Sequence, residues 1–157
     1  MNEQMLQLFA DAACTAPDDT GRIANAMLRA KDMPLRIAAL GGSVTFGYTQ
    51  QQEQLVPYPE QLCDLLSCRT LIQNFSVSGT NAYMGLYLAA HRLADFAPDL
   101  VLVEYAVNQT CTSEMVSAFE GLIYHLLMLP SSPAVIPVMC TTKDGYSSEN
   151  CLAHIAR

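Results

Sequence analysis

Three short polar motifs in this sequence each follow an apolar run, and between them they hold the side chains best suited to chemistry. Residues 35–40 (LRIAAL) lead into Gly41-Gly42-Ser43-Val44-Thr45-Phe46-Gly47. Residues 70–75 lead into Ser76-Val77-Ser78-Gly79-Thr80-Asn81, and residues 100–105 (LVLVEY) into Ala106-Val107-Asn108-Gln109. A serine hydroxyl can attack a carbonyl carbon. A backbone N–H at a glycine and an asparagine amide can hold the oxyanion that forms, so the parts needed for acyl transfer are present. If the runs are neighbouring parallel strands, the motifs meet in one crevice at the strands' carboxyl ends, where open α/β sheets bind ligands.

Each motif also has a plainer reading. Paired glycines followed by serine can be a tight turn whose hydroxyl caps the next segment. A phosphate-cradling loop is a third option, but neither GKS/GKT nor GxGxxG occurs. Gly79 can be an ordinary turn glycine, and Asn108 an ordinary turn former. Taken singly, none of the three strings decides between these readings.

The elements that must position the motifs are legible from periodicity and breakers. Helices are expected over about 3–13 and over 22–31, the second with Ile23, Met27 and Ala30 on one face and acidic residues near its start. Met33-Pro34 ends it. The strand 35–40 is apolar enough to be buried on both faces, as parallel strands are. A glutamine-rich loop over 48–57 lies above the site, and a helix over 59–67 turns Leu62, Leu65 and Leu66 inward. Strand 70–75, helix 81–95, strand 100–105, helix 114–128, strand 134–139, loop 141–148 and helix 149–157 follow. Alternation of this kind implies a parallel sheet with right-handed crossovers and helices on both faces.

The 157 residues suit one domain, residues 1–157, with a real core. A net charge of −7 argues against nucleic acid and anionic membrane as partners. No apolar run approaches the roughly 20 residues that span a bilayer. The six cysteines match no zinc spacing, and most lie in apolar segments. They are read as reduced thiols of a cytoplasmic protein, with one disulfide as the alternative, and with neither metal nor organic cofactor.

GGSVTFG, NFSVSGTNAYMG and PDLVLVEYAVNQ resemble the first three blocks of the SGNH (GDSL-type) hydrolases. The stretch PAVIPVMC with TTKDGYS resembles the fourth strand and following loop of bacterial carbohydrate-esterase-like members, and the likeness covers about residues 20–157. It implies a flavodoxin-like α/β/α three-layer sandwich, of which four strands are visible and a fifth is missing. It implies Ser43 as nucleophile, and the Ser43 N–H, Gly79 N–H and Asn108 as oxyanion donors. Gly42 and Thr80 become the substrate-contacting positions. The implied activity is hydrolysis of acyl esters, with acetyl groups on carbohydrate as the candidate substrate and no cofactor.

Two departures qualify this resemblance. Gln109 stands where the third block usually has aspartate, and the Asp-x-x-His block that supplies the base and its orienting carboxylate does not occur. A serine hydroxyl is a weak nucleophile without a base. Of the three histidines, His91 and His125 fall inside helices, and His154 has Cys151 where the aspartate belongs. The expectation is a C-terminally truncated hydrolase that turns over activated esters poorly and self-associates through the apolar 134–139 edge. The alternatives are a non-catalytic ligand-binding or interaction protein on the same fold, or a partner chain that supplies the histidine.

Overall fold

The computed structural model describes residues 20–48 and 53–152. The expected helix over 3–13 and His154 lie outside them. The elements run α1 (Thr20–Arg29), β1 (Leu35–Gly41), α2 (Ser43–Phe46), α3 (Tyr58–Leu65), β2 (Thr70–Asn74), α4 (Ala82–Leu88), α5 (Ala94–Phe96), β3 (Leu100–Glu104), α6 (Ser113–Leu127), β4 (Ala134–Pro137) and α7 (Glu149–Leu152). The four strands form one parallel sheet in the order β2-β1-β3-β4. Helices flank both faces, which makes an α/β sandwich. Among the described residues no helix is long and apolar enough to cross a membrane.

Alternation along β1 feeds two cores. Ala38 and Leu40 join Val101, Val103, Phe119, Leu122 and Leu126 on the α4/α6 face. Leu35, Ile37 and Ala39 join Ala26, Leu102 and, more peripherally, Tyr58, Leu62 and Leu66 on the α1/α3 face. Strand β1 therefore has no solvent side, which is why its sequence reads as an unbroken apolar run. Strand β2 is an edge, and its residues alternate between half-buried and exposed.

The structure differs from the sequence reading in several places. On α1 the buried residue is Ala26, while Ile23 and Met27 are each 43% exposed. The small residue lets the helix approach the sheet, and Arg22 extends its Nη1 to the carbonyls of Leu127 and Pro133, both at 3.2 Å. Leu65, expected to face inward, is exposed, because α3 ends at that residue. The helix expected over 81–95 is α4 and α5 joined by a π turn over Ala89–Leu93, so the stripe does not run at one period. Cys111 is disulfide-bonded, whereas Cys63, Cys68 and Cys140 are free thiols. The reading of all six cysteines as reduced is corrected at Cys111, which stands in an exposed loop rather than an apolar segment.

Two glycines on the helices of the α4/α6 face test how tightly that layer is packed. A Cβ on Gly85 of α4 would lie 2.7 Å from Tyr105 Cε2 and 2.8 Å from Leu122 Cδ2. A Cβ on Gly121 of α6 would meet only Leu86 Cδ2, at 3.9 Å. Gly85→Ala is expected to lose about 1–3 kcal/mol through overpacking. Gly121→Ala is expected to be neutral or to gain up to about 1 kcal/mol from helix propensity. Urea unfolding of the two variants beside the parent chain checks both.

Candidate functional site

The carboxyl ends of β1 and β3 lie side by side, with Gly41 in register with Glu104. Gly41 has no room for a side chain: a Cβ would lie 2.0 Å from Thr45 Oγ1 and 2.8 Å from the Glu104 carbonyl oxygen. The chain then turns at Gly42 into the four-residue helix α2, which Ser43 opens. Gly47, in the left-handed conformation at φ 91°, closes it. The Ser43 carbonyl accepts from the N–H groups of Gly47 at 3.0 Å and Tyr48 at 2.9 Å. The Ser43 N–H stands in the first turn, where helical N–H groups have no intrahelical partner. Ser43 itself is half-buried.

The second motif is fastened to the first through the main chain. The Val77 N–H donates to the Gly41 carbonyl at 3.0 Å. Asn74, the last residue of β2, donates its side-chain amide to the Thr45 carbonyl at 3.0 Å, and its Oδ1 accepts from the N–H and hydroxyl of Ser76. The turn that follows carries Gly79 at φ 75°, a conformation that favours glycine, with open space around its α-carbon. Thr80 Oγ1 closes the turn onto the Val77 carbonyl at 2.6 Å, and Asn81 caps α4 by accepting from the Tyr83 N–H.

The third motif meets both. Asn108 donates Nδ2–H to the Thr80 carbonyl at 2.9 Å. On its other side, a Cβ placed on Gly42 would fall 2.0 Å from the same Nδ2. Thus Gly42, Thr80 and Asn108 are in mutual proximity, with Ser43 and Gly79 their chain neighbours. An Asn amide carries two N–H bonds. One goes to Thr80, and the second is left to donate elsewhere.

Several polar residues behind this surface were missed as parts of the site. Gln109 is 1% exposed and bonded at both ends of its amide: its Oε1 accepts from the Ala82 N–H at 3.3 Å and its Nε2 donates to the Met115 carbonyl at 2.8 Å. It joins the third motif to the starts of α4 and α6, so the residue that departs from the family block is a brace between elements. Ser148 donates its hydroxyl and its N–H to the Ala106 carbonyl, each at 2.8 Å. Glu104 is 0% exposed and accepts from Thr45 Oγ1 at 3.3 Å. Burial raises its pKa, against the opposing pull of the Thr45 hydroxyl and the backbone N–H groups of Val107, Ala106 and Gly42. A mid-motif glutamate in an apolar strand was the available signal, since a charge there must find partners.

Neither described histidine stands at this end of the sheet. His91 lies in the π turn late in the helical layer that returns to β3, with its ring 4.5 Å from that of Tyr87. His125 lies in the last turn of α6, which leads to the start of β4. No group of three or more His, Cys, Asp or Glu that could hold a metal ion occurs among the described residues. A cavity of about 350 Å³ lined by Arg29, Asp32, Met33, Pro34, Arg36, Leu71 and Asp99 opens at the opposite end of the strands, away from the motifs.

No protein-family model and no curated protein matches the chain. Solved structures do. A two-domain esterase active on acetylated mannans, crystallised with mannopentaose, superposes with a TM-score of 0.76 at 27% identity. The match covers 88% of this chain and 40% of that esterase, so the chain spans well under half of its length. The psychrotrophic esterase EstA from Pseudoalteromonas sp. matches at 0.58 and 20% identity, over 77% of this chain and 71% of its own. The lipase/acylhydrolase from Enterococcus faecalis matches at 0.57 and 18%, over 79% and 69%. At those identities the last two speak to fold alone.

Gly42→Ala is expected to push Asn108 off the Thr80 carbonyl at a cost of about 1–3 kcal/mol. A displaced Asn108 side-chain NH₂ signal in ¹⁵N–¹H spectra, together with a lower urea midpoint, checks this. The raised pKa of Glu104 has a definite sign for stability. Above the ordinary value of 4.5 the unfolded chain releases a proton that the folded chain still holds. Stability contributed by this group is therefore complete at low pH and lost as pH rises through the elevated folded value. Glu104→Gln should remove that slope, and urea midpoints of both proteins across a pH series measure it.

Proposed function

From the SGNH (GDSL-type) hydrolase fold of this chain, we infer that it is an esterase acting on acyl esters, with acetylated carbohydrate as its substrate class. The observation that carries the reading is the meeting of Gly42, Thr80 and Asn108 at the carboxyl ends of neighbouring strands. On this reading a serine, a left-handed glycine and a half-used asparagine amide share one surface. The likeness at 27% identity to an esterase active on acetylated mannans supports the substrate class.

In this mechanism Ser43 Oγ attacks the ester carbonyl carbon while its proton passes to a base. The carbonyl oxygen becomes an oxyanion held by the Ser43 N–H, the Gly79 N–H and the second Nδ2–H of Asn108. The alcohol leaves with the proton, and an acyl group remains on Ser43. Water, deprotonated by the same base, then attacks the acyl carbon and releases the acid. Gly42 and Thr80 line the approach to the carbonyl. Donors fixed in place before reaction need no reorganisation as charge develops, which is why such sites are effective. The base is an imidazole outside the described residues, since His91 and His125 stand elsewhere.

Hydrolysis of p-nitrophenyl acetate and labelling by a fluorophosphonate test the reading. Ser43→Ala should abolish both, and Asn108→Ala should lower the rate on the order of 10²- to 10³-fold. Turnover that survives Ser43→Ala would overturn the nucleophile assignment. Calorimetric binding of an acetylated manno-oligosaccharide with neither turnover nor labelling would identify a binding protein on the same fold instead.

A further inference from the structure

Ser43 stands on a helix too short to hold itself. Helix α2 has four residues, with Gly42 before it and Gly47 after it. A single helical turn is not stable alone, so its orientation is set by what it is tied to. The N–H groups of Phe46, Gly47 and Tyr48 close onto the carbonyls of Gly42, Ser43 and Val44. The Thr45 carbonyl belongs to a residue that is 0% exposed, and a buried carbonyl needs a donor. It accepts from a side chain of another strand: Asn74 Nδ2, at 3.0 Å.

The other head of the same amide holds the second motif. Asn74 Oδ1 accepts from the Ser76 N–H at 3.1 Å and from the Ser76 hydroxyl. Those bonds open the turn that carries Gly79 at φ 75°, which Thr80 Oγ1 closes onto the Val77 carbonyl. Glu60 Oε1 of α3 also accepts from Asn74 Nδ2, at 3.4 Å. With two donors at one head and two acceptors at the other, only one orientation of the amide satisfies its neighbours. Main-chain bonds fix the second motif against β1: the Phe75 N–H donates to the Ala39 carbonyl at 2.8 Å and the Val77 N–H to the Gly41 carbonyl at 3.0 Å. Asn74 fixes it against α2. Strand β2 is an edge, paired only with β1, so this tie is its link to the helix of Ser43.

We propose that Asn74 is a positioning residue for the Ser43–Gly79 pair: its two-headed amide joins the helix of the nucleophile to the turn of the oxyanion donor and so sets their separation. Thr45 lies two residues beyond Ser43, and Ser76 three before Gly79, so one side chain spans the gap. Asn74 touches no reacting atom and acts through the two turns. The proposal rests on the esterase reading for its catalytic consequence, but not for its structural content. Cutting the tie leaves the substrate surface intact and spoils the alignment, so the loss falls on kcat rather than on KM.

The experiment uses the full chain with Asn74→Asp, Asn74→Ala and Gly85→Ala. At about pH 8 the aspartate is ionised: it keeps an acceptor for Ser76 and has no donor for Thr45, so it cuts one tie only. In amide hydrogen exchange, Phe46 and Gly47 should exchange faster in both Asn74 variants. The Ser76 amide should stay protected in Asn74→Asp and lose protection in Asn74→Ala. In p-nitrophenyl acetate hydrolysis both Asn74 variants should lose kcat by about 10²-fold, the scale of a 1 Å misplacement, with KM within twofold. Gly85→Ala, destabilised by overpacking on the α4/α6 face, should keep the parent kcat, which separates alignment from stability. If Asn74→Ala does not fold, Asn74→Asp decides by the same kcat–KM split. Parent-like kcat in a folded Asn74→Asp, unchanged exchange at Phe46 and Gly47, or an equal loss of kcat in Gly85→Ala would overturn the proposal. A parent chain that neither hydrolyses nor labels would defeat the esterase reading, and the exchange data would still decide for or against the tie between the two turns.

Discussion

Strand β1 has no solvent-facing side, and the rest of the molecule is arranged around that constraint. Leu35, Ile37, Ala38, Ala39 and Leu40 are at most 2% exposed. A strand buried on both faces must sit inside the sheet and be covered by helices above and below. β2 then pairs on one side of it and β3 on the other. The chain therefore runs from β1 to one side and crosses from β2 to the other, the arrangement that in open α/β sheets puts ligands at the strands' carboxyl ends.

Close approach at this end is set by glycines and held by polar side chains. Gly41 admits Thr45 and the β3 backbone, and Gly42 admits Asn108. Into the space so created the fold places amides and carboxylates. Asn74 ties β2 to Thr45, Gln109 ties the third motif to α4 and α6, and Glu104 accepts from the Thr45 hydroxyl. Buried polar groups are costly unless paired, and once paired they specify a single arrangement more sharply than apolar contacts can. A site that needs three loops in one relation uses such groups behind it, while the surface groups stay free for a ligand.

The opposite end of the sheet is built differently. Arg29 and Asp99 form an ion pair at 2.8 Å, with Arg29 47% exposed. Asp99 also accepts the Arg36 N–H, and the Arg36 guanidinium donates to the Phe96 carbonyl and stacks over the Phe96 ring. Exposed pairs of this kind contribute little on their own. Their function here is local, fixing the turn from α5 into β3 so that β3 enters the sheet in register with β1. Fidelity of that register is what brings Glu104 level with Gly41 at the far end.

The amino-acid sequence by itself determined the order of elements, the parallel sheet and the position of the three motifs at strand ends. These follow from local periodicity and from breakers such as Met33-Pro34, which act over a few residues. Ser43 just past β1 was legible for the same reason. Only the tertiary structure decided which small residue α1 buries, where α4 widens into a π turn, and that Leu65 faces outward. It alone showed that Gln109 braces two helices and that Glu104 meets the Thr45 hydroxyl, 59 residues away in the chain. Such assignments depend on which distant backbone arrives at a given side chain. No window of the sequence contains that information, because it is created when the strands align.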